Sequence, residues 1–371
     1  MTSRERVTAA VAHEPPDRLP CDESFWEDTI EAWREQGFPR DVAPADYFDF
    51  DLRFMYLDTS PRFEQKVLAR EGPYVTYADR FGYTVKKFAD RCSTMEFRNH
   101  VTQDRAAWEH VRPRFVLSDD PAEPARIDDA SCFAHLDPYP TWEQAVEKYQ
   151  RLYSTNRYLL FAAYGPWEST WRHRGYENLL TDVMDDPDWV REMADTHQAL
   201  VIAVLKRCID RGMKPDGFFA VDDLGHTGGL LMSPDSWRGI FRPAVERLGE
   251  FLSRNGIAFW MHSCGDVRLL IDDLIDCGVR VLNPVQVAAG LDVVQLRKRY
   301  GKRLALYGGI DARLMSGPEE AIRKNLEEKI PLAADGGYIF HSDHSVPPQV
   351  HFDRYRRILE MARQCSMEQG T

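Results

Sequence analysis

The chain has 371 residues, 43% of them apolar and 29% charged, with a formal net charge of −12. Such a composition describes a globular protein with core enough for one large α/β barrel or two ordinary domains. It argues against a general nucleic-acid binder and against anionic membrane surfaces as partners. No apolar run reaches the length of a transmembrane helix, and Met1-Thr2-Ser3-Arg4-Glu5-Arg6 lacks the apolar stretch of a signal peptide. The seven scattered cysteines fit a reducing, cytoplasmic setting. Cys21, Cys92, Cys132, Cys208, Cys277 and Cys365 show no partner spacing and read as small core residues.

In chain order, Thr2 and Glu5 form a capping-box pattern that opens a short helix to about Ala12, and Pro15-Pro16 breaks it. Arg18–Cys21 reads as a first strand, Glu27–Gln36 as a helix and Asp49–Leu57 as a strand. Tyr74–Phe88 reads as a hairpin turning at Asp79-Arg80-Phe81-Gly82. Residues 89–140, charged and rich in Pro and Asp, read as an insertion or long loops.

A β-then-α rhythm starts near Tyr158. Apolar strands are expected at 158–163, 217–221, 257–261, 279–282, 304–307 and 337–340. Helices are expected at 187–211, 234–255, 267–277 and 292–300, from Pro318 onward, and at 352–364. Strands too apolar to have a wet face belong to a parallel sheet covered by helices. With so many units and no glycine-rich dinucleotide fingerprint, the expected fold is a (β/α)8 TIM barrel with N-terminal elaborations, one domain over residues 1–371.

In such a barrel the chemistry sits where strands end. The polar residues there are Tyr164 and Glu168; Asp222, Asp223 and His226; His262, Cys264 and Asp266; Asn283 and Gln286; Asp311; and His341, Asp343 and His344. His262 and Cys264, two apart at the end of a strand, emerge on one face and offer zinc a nitrogen and a sulfur. Asp222, Asp223 or His344 could add a third ligand from another strand end. Asp222 and Asp223 cannot both point the same way, so one would bind and the other orient a ligand or meet substrate. His226, deeper in a glycine-rich loop, reads as a substrate contact or a surface residue. Trp26, Tyr56, Phe81, Trp167 and Trp171 could line a pocket for a flat organic substrate, and Arg172 and Arg174 could bind a carboxylate but read rather as solvated charges.

Several stretches stand out: Ser3-Arg4-Glu5-Arg6-Val7 with Pro16-Asp17-Arg18, Asp79-Arg80-Phe81-Gly82, Gly165-Pro166-Trp167-Glu168, and Asp222-Asp223 with Leu231-Met232-Ser233-Pro234. His262-Ser263-Cys264-Gly265, Asn283-Pro284-Val285-Gln286, Gly308-Gly309-Ile310-Asp311 and His344-Ser345-Val346-Pro347-Pro348 complete the set. Taken together they resemble the uroporphyrinogen decarboxylase superfamily, and the resemblance implies a (β/α)8 barrel. The true decarboxylases of that superfamily carry an arginine-rich N-terminal segment and no His-x-Cys pair. Here the corresponding stretch is Phe25-Trp26-Glu27-Asp28-Thr29. The resemblance is closer to the zinc-dependent methyltransferases that serve corrinoid proteins, which have His-x-Cys and a later Cys beside a Pro-Pro pair.

In this chain His344 occupies the place of that later Cys. One thiolate fewer makes a better Lewis acid and a poorer thiol-transfer centre. The resemblance therefore implies zinc held by His262, Cys264, His344 and Asp223. Asp222, Glu168 and His226 become candidates for proton work, and Tyr164, Trp167, Asn283, Gln286 and Asp311 candidates for substrate contact. The implied activity is methyl transfer between a small methylated compound and a corrinoid protein partner, by a chain that could be a homodimer. The alternatives are a zinc-dependent lyase or hydrolase that uses no corrinoid, and a non-catalytic corrinoid- or tetrapyrrole-binding protein. The many ionisable groups at the mouth count against the last.

Overall fold

The computed structural model describes residues 1–91, 95–120, 122–130 and 138–367. Its strands, in chain order, are β1 (Leu52–Leu57), β2 (Lys66–Glu71), β3 (Tyr74–Ala78), β4 (Thr84–Phe88), β5 (Glu96–Arg98), β6 (Ile127–Asp128) and β7 (Tyr158–Tyr164). They continue with β8 (Gly217–Val221), β9 (Gly225–His226), β10 (Gly229–Leu230), β11 (Ala258–His262), β12 (Val279–Asn283), β13 (Ala305–Tyr307) and β14 (Tyr338–Ile339).

The main sheet has the order β14-β13-β12-β11-β8-β7-β1-β6 and is parallel except for the β1–β6 edge. The segment around Cys21 bridges its two ends. Phe340 N–H donates to Pro20 O and Asp22 N–H to Phe340 O on one side, and Asp51 N–H donates to Cys21 O on the other. With that bridge as the first strand, the sheet closes into a (β/α)8 barrel. The expected strand at Arg18–Cys21 is this bridge, and it is short for a physical reason. Pro15, Pro16 and Pro20 have no N–H to give a ladder. Side chains take over: the fully buried Asp51 carboxylate accepts from Cys21 N–H at 2.8 Å, from Arg6 at 2.8 Å and from Arg18 at 3.0 Å.

Alternation along the strands splits their side chains between two cores. Leu52, Tyr158, Leu160, Ala162, Phe219, Trp260, Val281, Ala305, Tyr307 and Ile339 fill the bore. Their neighbours, among them Met55, Phe161, Phe218, Met261, Leu282 and Phe340, pack outward into the helical layer. This is why the strands read as continuous apolar runs. The expected hairpin is β3–β4, part of a four-stranded antiparallel sheet with β2 and β5.

Two helical expectations need revision. The helix expected over 234–255 is two helices, Pro234–Ile240 and Arg242–Arg254, because Pro243 interrupts the hydrogen-bond ladder. The one near 267–277 shrinks to Ile271–Asp276. Helices at Trp142–Tyr153 and Pro166–Arg174 were not anticipated. Every residue of the latter is buried, so it has no polar face to give a helical period. Cys21, Cys208 and Cys277 are buried and Cys365 is half-buried, whereas Cys92 and Cys132 lie outside the described residues. Among the described residues no helix is long and apolar enough to cross a membrane.

The closure at Asp51 is testable by denaturant unfolding. Asp51→Ala removes the buried acceptor shared by Cys21 N–H, Arg6 and Arg18, leaving Arg6 with Asp17 alone, and is expected to cost about 3 kcal/mol. Arg18→Ala removes a half-exposed partner and is expected to cost about 1 kcal/mol or less.

Candidate metal and acid–base site

The inward phase of each strand carries on into the barrel mouth. From Trp260 it reaches His262, from Val281 Asn283, and from Ile339 His341. From Phe219 it passes Val221 to Asp223, and so leaves Asp222 on the outward phase. His262 pairs in register with Val221 on one side and Asn283 on the other. The three candidate ligands Asp223, His262 and Cys264 therefore converge, with ligand atoms all within 4.8 Å of one another. His262 Nε2 lies 3.4 Å from both Cys264 Sγ and Asp223 Oδ1. Gly265 lets the chain turn away beneath this cluster. Its φ is +85°, and a Cβ there would fall 2.1 Å from the Gly225 carbonyl carbon.

Neighbouring loops fix the orientation of these groups. Asn283 Nδ2 donates to the Tyr307 carbonyl at 3.0 Å, which turns Oδ1 toward His262 Nδ1 at 2.6 Å. Nδ1 must then carry the proton, and Nε2 faces Cys264 and Asp223. Cys264 N–H donates to Asp223 Oδ1 at 2.8 Å, and Gly265 N–H to Gln286 Oε1 at 2.7 Å. Asn283 and Gln286, expected at the substrate, hold the loop that carries His262 and Cys264.

The outward-phase Asp222 is fully buried beneath the helix Pro166–Arg174, and its Oδ1 accepts from Glu168 N–H at 2.8 Å. Oδ2 has no hydrogen-bond partner. Burial, reinforced by the charges of Glu168 and Asp223, pushes this carboxyl well above its ordinary range despite two backbone N–H donors. Burial also raises Glu168, although Arg172 bonds it at 2.9 Å. Burial would raise Asp223 as well, but the adjacent His262 holds it below its usual value. His262 is held well above its own value, against burial, by Cys264 and Asp223. The two shifts share one cause, the mutual attraction of His262 and Asp223.

Other expected residues lie elsewhere. His344 is exposed, its ring 5.5 Å from that of Trp26, and it is not in the ligand cluster. The strand register ends at β14, and the loop beyond it carries this side chain outward. His226 is exposed on the β9–β10 ribbon, where its Nδ1 accepts from Gly228 N–H at 3.0 Å. Trp167 is fully buried between Tyr176 and Phe241, bracing the helix rather than facing the mouth. Asp311 is taken up by Arg313, at 2.7 and 2.8 Å. Tyr164 is buried under the Arg172 guanidinium, 3.8 Å from its ring centroid. Arg172 and Arg174, read as solvated, are both buried, with Arg174 bonded to Asp182. Two acids escaped the reading altogether. Asp22 and Glu23 follow the Cys21 bridge and are buried beside Tyr307 and His341. The rule that chemistry follows strand ends would have found them at Arg18–Cys21.

The family model for uroporphyrinogen decarboxylase (URO-D) matches residues 120–365. The uroporphyrinogen decarboxylases of Bacillus mycoides (strain KBAB4) and Bacillus cereus (strain B4264) are 26% and 25% identical over 197 residues, 53% of this chain. The chain spans about half the length of these curated relatives, 53% of each. A solved structure, described as a methyltransferase from Methanosarcina mazei, superposes over 100% of both chains with a TM-score of 0.67 at 15% identity. That likeness supports the barrel fold, and the family match extends over most of the barrel. The chain belongs to the uroporphyrinogen decarboxylase (URO-D) family.

Proposed function

We propose that this chain is an enzyme of the methyltransferase branch of its family. It would move a methyl group between a small oxygen- or nitrogen-methylated compound and a corrinoid carried by a partner protein. The observation that carries this reading is the Asp223–His262–Cys264 cluster, with the imidazole tautomer set by Asn283. Its nitrogen, sulfur and oxygen donors fit zinc, and three protein ligands leave a position for substrate. Bound there, zinc would supply Lewis acidity to the substrate heteroatom.

The chain's own residues do the remaining work. Asn283 and Gln286 orient the ligand loop. Asp222, a carboxyl raised by burial, and Glu168, paired with Arg172, stand ready for proton transfer on the outer side of the cluster. The likeness to the methyltransferase from Methanosarcina mazei supports this branch. So does the absence of arginines in Phe25-Trp26-Glu27-Asp28-Thr29, which disfavours a tetrapyrrole decarboxylase. A zinc-dependent lyase or hydrolase is the second reading, favoured by a donor set with a single thiolate.

Metal analysis of the purified chain is expected to give about one zinc per chain, lost in Cys264→Ala and retained in His344→Ala. Asn283→Ala is expected to weaken zinc by about ten- to a hundredfold in chelator competition. The zinc-loaded chain, given free reduced cobalamin and a panel of methoxyarenes and methylamines, is expected to demethylate a member of the panel. Full activity in the metal-free protein would refute the reading. Turnover without any corrinoid would select the lyase or hydrolase.

A further inference from the structure

The bore holds a second ionisable cluster for which the roles above have no use. Tyr307 Oη donates to Asp22 Oδ2 at 2.5 Å, and its ring packs edge-on against His341 at 4.7 Å. His341 Nε2 lies 3.4 Å from Glu23 Oε1, and the Glu23 side chain is fully excluded from solvent. Among the described residues His341 is the ion-pair partner of Glu23, and no Lys or Arg reaches it.

Counting protons on these contacts gives a definite answer. His341 Nδ1 lies 2.5 Å from the Ser342 carbonyl, which can only accept, so Nδ1 carries a proton. In a neutral ring Nε2 is then a bare lone pair, facing a carboxylate oxygen. That arrangement is repulsive unless a proton sits between them. Glu23 is otherwise supplied with donors: Oε1 accepts from Ser342 Oγ at 2.6 Å and from Ser24 N–H at 3.0 Å, and Oε2 from Ser342 N–H at 3.2 Å. The contact with His341 is the one that still needs a proton.

We infer that Glu23 and His341 share one proton and form the acid–base pair that serves the centre at Asp223, His262 and Cys264. This assignment rests on the function proposed above. His341, on the inward phase beyond β14, is the member that would meet substrate, and Glu23 behind it is a positioning residue and proton store. The pair lies close to the cluster. Asn283, which holds His262, bonds the carbonyl of Tyr307, whose ring packs on His341. As the bond between methyl carbon and heteroatom breaks, its electron pair stays on the heteroatom. The heteroatom takes the proton from the pair, and the methyl goes to the electron pair of the corrinoid acceptor.

The surroundings agree. Burial pushes Glu23 up to about 8 and Asp22 to about 6, while burial lowers His341. Asp343, Tyr338 and Tyr355 face Glu23, and Asp22, Tyr307 and His262 face His341. Arg53 faces Asp22.

Infrared difference spectra of the full chain against Glu23→Gln, with ¹⁵N NMR of ring-labelled histidine, test the assignment. At neutral pH the expected result is one shared proton, seen as a neutral carboxylic-acid stretch lost in E23Q or as a doubly protonated His341. An ionised Glu23 beside a neutral His341 overturns it. In the methyl-transfer assay the wild-type rate is expected to fall as pH rises through about 8. E23Q, with unchanged zinc content and unfolding midpoint, is expected to move that limb down by about a unit or more. An unmoved limb overturns the catalytic role. Wild-type protein that lacks zinc yet shows the shared proton would overturn the metal reading and leave the proton pair standing.

Discussion

A charge below the mouth of this barrel cannot stand alone. Removing a carboxylate from water costs several kcal/mol, on the order of what the whole fold has to spare, unless a partner or a proton offsets it. The mouth holds Asp22, Glu23, Glu168, Asp222 and His341 all buried. Each is answered locally, Glu168 by Arg172, Asp22 by Tyr307 and Asp222 by backbone N–H groups. Asp223 and His262, which are half-exposed, answer one another. The mouth is therefore a set of buried, locally satisfied acids around one polarised cluster, on strands that leave them little freedom to move away.

Much of this was legible because period-two alternation on a two-sided core is a local signal. Strands β7, β8, β11 and β12 appear as apolar runs, and the polar residues at their ends are those the fold brings together at Asp223, His262 and Cys264. Legibility stops where position depends on distant chain. His344 lies beyond the last strand, so its spacing from Pro347-Pro348 carries no information about where its ring points. Asp22 and Glu23 matter because Phe340 pairs beside them, a contact no local pattern announces. Trp167 and Arg172 share a helix buried all round, where neither amphipathic period nor charge marks the inner face.

The donor set also has an electrostatic logic. A thiolate and a carboxylate with a neutral imidazole total two negative charges, which a dication would cancel. The raised affinity of His262 for a proton answers the same negative charge. A metal and a proton would thus compete for one nitrogen, and Asn283 on the far side of the ring keeps that nitrogen facing the cluster.

The bridge at Cys21 ties the beginning of the chain to its end. Its backbone partner on one side is Phe340, more than three hundred positions away. During vectorial synthesis the N-terminal segment must therefore wait, unpaired, while the rest of the barrel wall is laid down. Loop-closure entropy for that last contact falls on the whole intervening chain at once. Until it forms, the outer edge of β14 is open to other chains as well as to the bridge. The seam is thus where a newly made molecule is most exposed to misassociation, and the pairing of Phe340 with Pro20 and Asp22 ends that exposure, on a segment that Asp51 and its two arginines already hold in place.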